Sequence, residues 1–247
     1  MLILYLKEIR SFLSSQIGYI TIGVFITLIG LFLWIIPSES GGANILDNGF
    51  ANIDPLFYIA PWVYLILIPA ITMRSFSEEK KNGTIELLLT RPLTDMQIVA
   101  AKYLAGLTLV LISLLPTLIY YYSVSVLSFQ KVNGVDTGGM WGSYVGLFFL
   151  GAGFVSIGIF ASAIAENQVV AFIFALLLCL FCYIGFDFIA ESGLFGKYNS
   201  FLKGLGINEH YVSMSRGVID TRDIIYFMSE IAIFNLLTKL VLESRKW

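Results

Sequence analysis

The chain is 247 residues long, 57% hydrophobic and only 13% charged, with a formal net charge of -2. A soluble domain carries about 25% charged residues because its surface has to stay hydrated, so this composition excludes an ordinary soluble enzyme and a disordered chain. The weak negative charge offers no basic field to a phosphate backbone, which sets nucleic-acid binding aside. The composition is that of an all-α integral membrane protein embedded in a lipid bilayer.

At the N-terminus, Leu2, Tyr5, Leu6, Ile9, Phe12 and Leu13 recur at helical spacing, with Lys7, Glu8, Arg10, Ser11 and Ser14 largely between them. This pattern predicts a helix over 1-16 lying in the headgroup region, its apolar side in the acyl boundary. A cleaved signal peptide fits worse, because the apolar run that follows is too long, ends in Trp34-Ile35-Ile36-Pro37 and has no A-x-A site. Stretches free of Asp, Glu, Lys and Arg then separate Arg10 from Glu39, Asp54 from Arg74, Lys102 from Lys131, Asp136 from Glu166, and Glu166 from Asp187. A helix crosses a bilayer with about 20 apolar residues. The pattern predicts spans near 17-36, 56-73, 103-127, 142-164 and 167-186, and a sixth near 224-242 interrupted by Glu230 and Lys239. Together they make one transmembrane domain over 1-247.

Lysine and arginine set the orientation, because positively charged loops stay in the cytoplasm. Lys7 and Arg10 precede the first span, Arg74, Lys80, Lys81, Arg91 and Lys102 lie in 74-102, and Arg245 and Lys246 lie in the tail, whereas 37-55 has none. Both termini and the 74-102 segment are therefore expected inside. Lys197, Lys203, Arg216 and Arg222 fall outside, in the longer 187-223 segment, where the rule is weak. That segment mixes Leu194, Phe195, Tyr198, Phe201 and Leu202 with lysines, the pattern of a short amphipathic helix at the outer interface. A surface for an external partner is the second reading.

The 74-102 loop carries the strongest local signals. Asn82-Gly83 breaks the chain, Thr84 can cap, Ile85 to Leu89 makes a short apolar helix that Pro92 ends, and Thr94 can cap the helix that enters the third span. Apolar knobs between charged flanks suit docking by another protein; a solvated loop with a buried Ile-Leu-Leu-Leu fits the same residues.

Within the spans, Glu230 is the candidate polar site. An acid at midplane costs about 2.5-3.5 kcal/mol on insertion scales, so it either faces a transport path or lies near the outer boundary. Asp223, about two turns away, favours the boundary. Gly142-x-x-x-Gly146, with Gly151, Gly153, Gly158 and Ser162, predicts close helix approach, within the chain before between chains. Pro69 and Pro116 predict kinks. Cys179 and Cys182 form a C-x-x-C inside an apolar run and read as packing residues, and His210 is the only histidine, so no metal site is predicted. No HExxH, carboxylate pair or Ser/His dyad marks a catalytic residue. An ion-coupled secondary transporter would have only Glu230 to work with, and a structural membrane subunit needs no site at all.

Phe76-x-x-Glu79-x-x-x-Gly83-Thr84-x-Glu86-Leu87-Leu88-x-x-x-Pro92, followed by Lys102 at the start of a span, resembles the ABC-2 family of ABC-transporter permeases. The six spans, the N-terminal helix and the short 165-168 turn match it along essentially the whole chain. Glu209-His210, Arg216-Gly217-Val218-Ile219-Asp220 and the final Arg245-Lys246-Trp247 resemble the branch containing gliding-motility-associated and copper-enzyme-maturation permeases. The resemblance implies a type V exporter-like fold in a bacterial inner membrane and a cytoplasmic coupling helix seated in a separate ATPase. Gly83, Thr84, Glu86, Leu87 and Leu88 would dock there, Glu79 and Arg91 would flank them, and Glu166 and Asn167 would make a second contact. The chain has no G-x-x-x-x-G-K-[ST], its one Gly-Lys pair being Gly196-Lys197-Tyr198, so it would hold no cofactor, and ATP and Mg would sit on the partner. The implied assembly has two ATPase copies, a second permease protomer, identical or homologous, and an auxiliary membrane subunit, acting in export or mechanical work in gliding motility.

Overall fold

Each long apolar stretch becomes a helix in the computed structural model, which describes residues 1-37, 43-48, 52-86, 93-128, 136-192 and 196-244. No strand occurs among them. Five helices are long and apolar enough to cross a bilayer: Asp54–Lys81, Asp95–Leu127, Thr137–Ile164, Gln168–Glu191 and Thr221–Glu243. A sixth is reached when Leu2–Leu13 and Gly18–Trp34, which meet at 66°, are taken as one broken span. Ser15 sits at that bend, its hydroxyl accepting the Gly18 N–H at 3.2 Å.

The N-terminal helix divides its apolar stripe between protein and an exposed side. Leu4 is its buried residue, and Tyr5, Phe12 and Leu13 pack on the protein core, while Leu2, Ile3 and Leu6 stay exposed. Tyr5 is fastened by its hydroxyl to Thr108 Oγ1 at 2.8 Å. The helix thus leans on the 95-114 helix with the side assigned to the acyl boundary. An amphipathic pattern identifies an apolar face but not whether lipid or protein covers it.

The third span breaks where Pro116 predicted, at a single 3-10 turn, Leu115–Thr117, between Asp95–Leu114 and Leu118–Leu127. Pro69, like Pro61, lies inside an α-helix that runs on to Thr72. The interruption comes later, at Met73, before the Arg74–Lys81 helix.

Helix Thr137–Ile164 is the axis of the bundle: 78% of its apolar stretch is buried, against 22% for 168-191 and 28% for 221-243. Its glycines let neighbours approach. A Cβ on Gly142 would run into the Gly217 carbonyl, and one on Gly146 would lie 2.6 Å from Met214 Cβ. The small-residue motif therefore seats the segment following Ile207–Met214 and the end of that helix, a use inside the chain. Ser143 reinforces the contact by donating to the Ser215 carbonyl at 2.8 Å.

That seat organises much of the 187-223 region, at the end of the bundle opposite residues 74-102. Ile207, Tyr211 and Met214 are buried at i, i+4 and i+7, and the Tyr211 hydroxyl donates to the Phe57 carbonyl at 2.6 Å. Burial holds the Tyr211 phenol above its ordinary range, so it remains a donor. The predicted surface helix is the smaller Asn199–Lys203 piece, with Tyr198 and Phe201 exposed; Leu194 and Phe195 lie outside the described residues.

Gly142→Ala forces a methyl into backbone and is expected to cost about 1-3 kcal/mol. Gly23→Ala, where nothing lies within 4 Å of the new carbon, is expected to be neutral or mildly stabilising. Thermal unfolding of both variants in one mild detergent separates the two outcomes.

Candidate functional site

The 54-72 helix cannot run on unchanged past Met73, and the break leaves backbone donors to satisfy. One side chain from the central helix meets them. Ser162 Oγ accepts from Phe76 N at 3.0 Å and Ser77 N at 3.1 Å, and donates to the Met73 carbonyl at 3.0 Å. Two turns on, Lys80 Nζ donates to the Ala163 carbonyl and, at 3.1 Å, to that of Ala165. These carbonyls end the 137-164 helix, where lone acceptors and the helix dipole both favour a cation. Arg74–Lys81 is thereby docked beside the 165-167 turn. Asn167 Oδ1 accepts from Val170 N at 2.9 Å and starts the next helix.

A second tie crosses the same region. Lys102 has a side chain only 1% exposed, although it stands at the head of an apolar span. Its ammonium donates to Glu8 Oε1 at 3.1 Å and to the Ser75 carbonyl at 2.5 Å. It lies 3.1 Å from Glu79 Oε2, an ion pair by distance, and 4.9 Å from the centre of the Phe76 ring. Lys7 adds a more exposed contact to Glu79 at 3.5 Å. Two lysines and two glutamates thus neutralise one another, and the Lys102 ammonium meets partners on two other chain segments. The N-terminal helix, the 74-81 helix and the 95-114 helix are joined at one atom. Below, the Thr94–Gln97 capping box starts the third helix, with Gln97 N on Thr94 Oγ1 at 3.3 Å and Thr94 N on Gln97 Oε1 at 3.1 Å.

The residues singled out from sequence fall into groups. Gly83 is exposed with φ at +67°, the left-handed conformation that ends the 74-81 helix and favours glycine, and its N–H donates to Lys80 O at 3.1 Å. Thr84 is exposed, and its hydroxyl donates back to the Glu79 carbonyl at 3.3 Å. Glu86, Glu166 and Asn167 are exposed at the same end of the bundle. Leu87, Leu88 and Arg91 lie outside the described residues. Glu79, expected to flank the docking residues, has a carboxylate 13% exposed and turned inward onto Lys102.

Glu230 departs from the boundary position that the sequence favoured. It lies near the middle of Thr221–Glu243, is 8% exposed, and neither carboxylate oxygen has a hydrogen-bond partner among the described residues. Its Oε2 occupies space that Gly153 leaves open, 2.9 Å from where a Cβ would be. Asp223 is not a free marker of the interface either. It is 7% exposed and receives His210 Nδ1 at 2.8 Å, while His210 Nε2 faces the Gly204 carbonyl at 3.0 Å.

Lys80, Ser162 and the Glu8–Lys102 pair escaped assignment from sequence. The usable signals were a serine inside a glycine-rich apolar run and a lysine where a span begins, each of which needs a polar partner when buried.

A family model described as ABC-2 family transporter protein matches residues 3-242 of the chain. No curated protein matches it.

Lys102→Met removes the shared cation and leaves Glu8 and Glu79 facing apolar surface. The expected loss is about 2 kcal/mol, below the usual range for a fully buried pair because both acids keep some solvent and Lys7. Adding Glu79→Gln should restore at least about half of it. Denaturation of the single and double variants in detergent checks this, and equal losses would contradict the pairing.

Proposed function

Because the chain belongs to the ABC-2 family of transporter membrane proteins, being matched over residues 3-242, we propose that it is the permease subunit of an ABC transporter driven through the end that carries residues 74-102. The family is a membrane transport component that works in general with an ABC ATPase. The chain carries no phosphate-binding G-x-x-x-x-G-K-[ST] of its own. ATP and Mg are accordingly assigned to the partner.

The observation that supports the coupling role is the contrast across Gly83. On one side, Arg74–Lys81 is bonded by Ser162, Lys80 and Glu79 to the 137-164, 95-114 and N-terminal helices. On the other, Thr84 and Glu86 are exposed beside an apolar Leu87-Leu88-Leu89 run. A subunit that grips residues 83-88 would pull on a segment already fastened to three helices. Glu86, Leu87 and Leu88 are the proposed docking residues and Arg91 their flank, with Glu166 and Asn167 as the second contact. Glu79 takes the transmitting role, since its carboxylate is committed to Lys102. Closure of two ATPase copies would then favour whichever state of two paired permeases contacts them better.

The surrounding assignments follow from the same reading. The clustering of lysines and arginines at the 74-102 end supports reading that end and both termini as cytoplasmic, in a bacterial inner membrane. A second permease protomer, identical or homologous, and an auxiliary membrane subunit complete the assembly. Mechanical work in gliding motility is the finer reading and rests on the likeness of residues 209-220 and 245-247 alone. The ion-coupled alternative draws on one observation, the Glu230 carboxylate without a hydrogen-bond partner among the described residues.

Gly83→Pro cannot adopt the positive φ and loses the N–H that meets Lys80 O, so it should unfasten residues 83-88 while the chain still inserts. In mild-detergent purification from native membranes, the unsubstituted chain should bring down a P-loop ATPase whose hydrolysis it alters. The Gly83→Pro chain should retain about a tenth or less of that partner. Full retention with unaltered hydrolysis would overturn the coupling assignment.

A further inference from the structure

At the end of the bundle opposite Lys102, a pocket of about 460 Å³ opens beside the first turns of the 54-72 helix. This is the volume class of ligand sites, and its walls are aromatic: Phe57, Tyr58, Trp62, Tyr183 and Tyr211. The walls are fixed to one another. Tyr211 donates to the Phe57 carbonyl at 2.6 Å, Trp62 meets Tyr183 edge-on with ring centres 6.0 Å apart, and Tyr183 meets Phe154 likewise at 6.0 Å. These contacts set the walls relative to one another.

Two opposite charges line it. Asp54 is exposed and held by Asn52 Nδ2 at 2.6 Å. Arg216 is exposed and has no ion-pair partner among the described residues. From the pocket, Tyr58, Trp62 and Ile66 follow one another at successive turns of the helix and are 76%, 48% and 57% exposed. The apolar surface thus continues out of the pocket and along the span, where only acyl chains or another helix can cover it. Tyrosine and tryptophan at the start of a span mark headgroup depth.

A ligand that uses every part of this site is amphipathic, with a zwitterionic head and a hydrocarbon tail. We propose that the pocket binds an amine-bearing phospholipid of the phosphatidylethanolamine type, its phosphate against Arg216, its ammonium against Asp54 and one acyl chain along Tyr58, Trp62 and Ile66. An oligosaccharide would stack on the rings but leave the apolar track uncovered. A solely anionic lipid would set its phosphate against Arg216 but leave Asp54 without a cation. The assignment is independent of the coupling role of residues 83-88.

Tryptophan fluorescence tests it. The purified chain in mild detergent is titrated with phosphatidylethanolamine carrying brominated acyl chains, and Trp62→Phe identifies the part of the quenching that arises in the pocket. The expected result is saturable quenching that disappears in Trp62→Phe and needs about tenfold more lipid in Arg216→Ala. Arg216→Lys, which keeps the charge, should lie much nearer the unsubstituted chain. Brominated phosphatidylglycerol should bind several-fold more weakly than phosphatidylethanolamine, and Asp54→Asn should remove that preference. Both charged residues are exposed, so unchanged thermal midpoints are expected for these variants. Quenching that never saturates, or is the same in Arg216→Ala, would mean surrounding bilayer lipid only and overturn the site. Equal binding of the two lipids by the unsubstituted chain would overturn the headgroup assignment.

Discussion

A single buried ammonium decides how one end of this protein is put together. Lys102 enters the bundle with only 1% of its side chain exposed, which is tolerable only because Glu8, Glu79 and the Ser75 carbonyl meet it. Those partners come from two other segments, so satisfying the charge also fixes the posture of the N-terminal helix and of Arg74–Lys81. The arrangement is nearly neutral, since Lys7 supplies a second cation to Glu79 and Glu8. Geometry rather than net charge is what the cluster contributes. The Ser162 and Lys80 bonds extend it to the 137-164 helix, so a force applied next to Gly83 meets most of the bundle at once.

The opposite end is organised by absence of side chain instead of by charge. Gly142 and Gly146 let Gly217 and Met214 approach the central helix, and the seated 207-214 helix in turn positions Tyr211 against Phe57. This places an aromatic pocket at headgroup depth, far from the Lys102 cluster along the same 54-72 helix. Between the two, Gly153 makes room for Glu230, whose carboxylate is left without a protein donor among the described residues. The three features lie along one axis, and all use the glycine- and serine-rich face of the 137-164 helix or its direct neighbours.

The spans were legible because charge-free runs of membrane length have few alternatives in a chain this apolar. Local chemistry was equally readable at Thr94, where the Gln97 spacing predicts a cap, and at Pro116, where the helix does break. What could not be read was which neighbour each polar residue meets. Glu79 lies on Lys102 and Asp223 on His210, pairings between segments far apart in the chain or across a turn that spacing alone does not give. Counting turns from Asp223 points Glu230 to a boundary, whereas its carboxylate lies buried at Gly153, well inside the 137-164 helix. In the N-terminal helix the periodicity reports an apolar stripe and not its covering, and protein covers Tyr5, Phe12 and Leu13 while Leu2 and Leu6 stay exposed. Of the proposed docking residues, Gly83, Thr84 and Glu86 are exposed as the coupling reading requires, and Leu87, Leu88 and Arg91 lie outside the described residues.

The Lys102 cluster holds the N-terminal helix and the 74-81 helix as one body. The direct measurement is the distance distribution between spin labels at Ile3 and Lys81, both exposed, in lipid nanodiscs, with Cys179 and Cys182 replaced by alanine. A single narrow distance that broadens when Lys102→Met is introduced is the predicted result. A distribution already broad with Lys102 present, or one that Lys102→Met leaves unchanged, would contradict it.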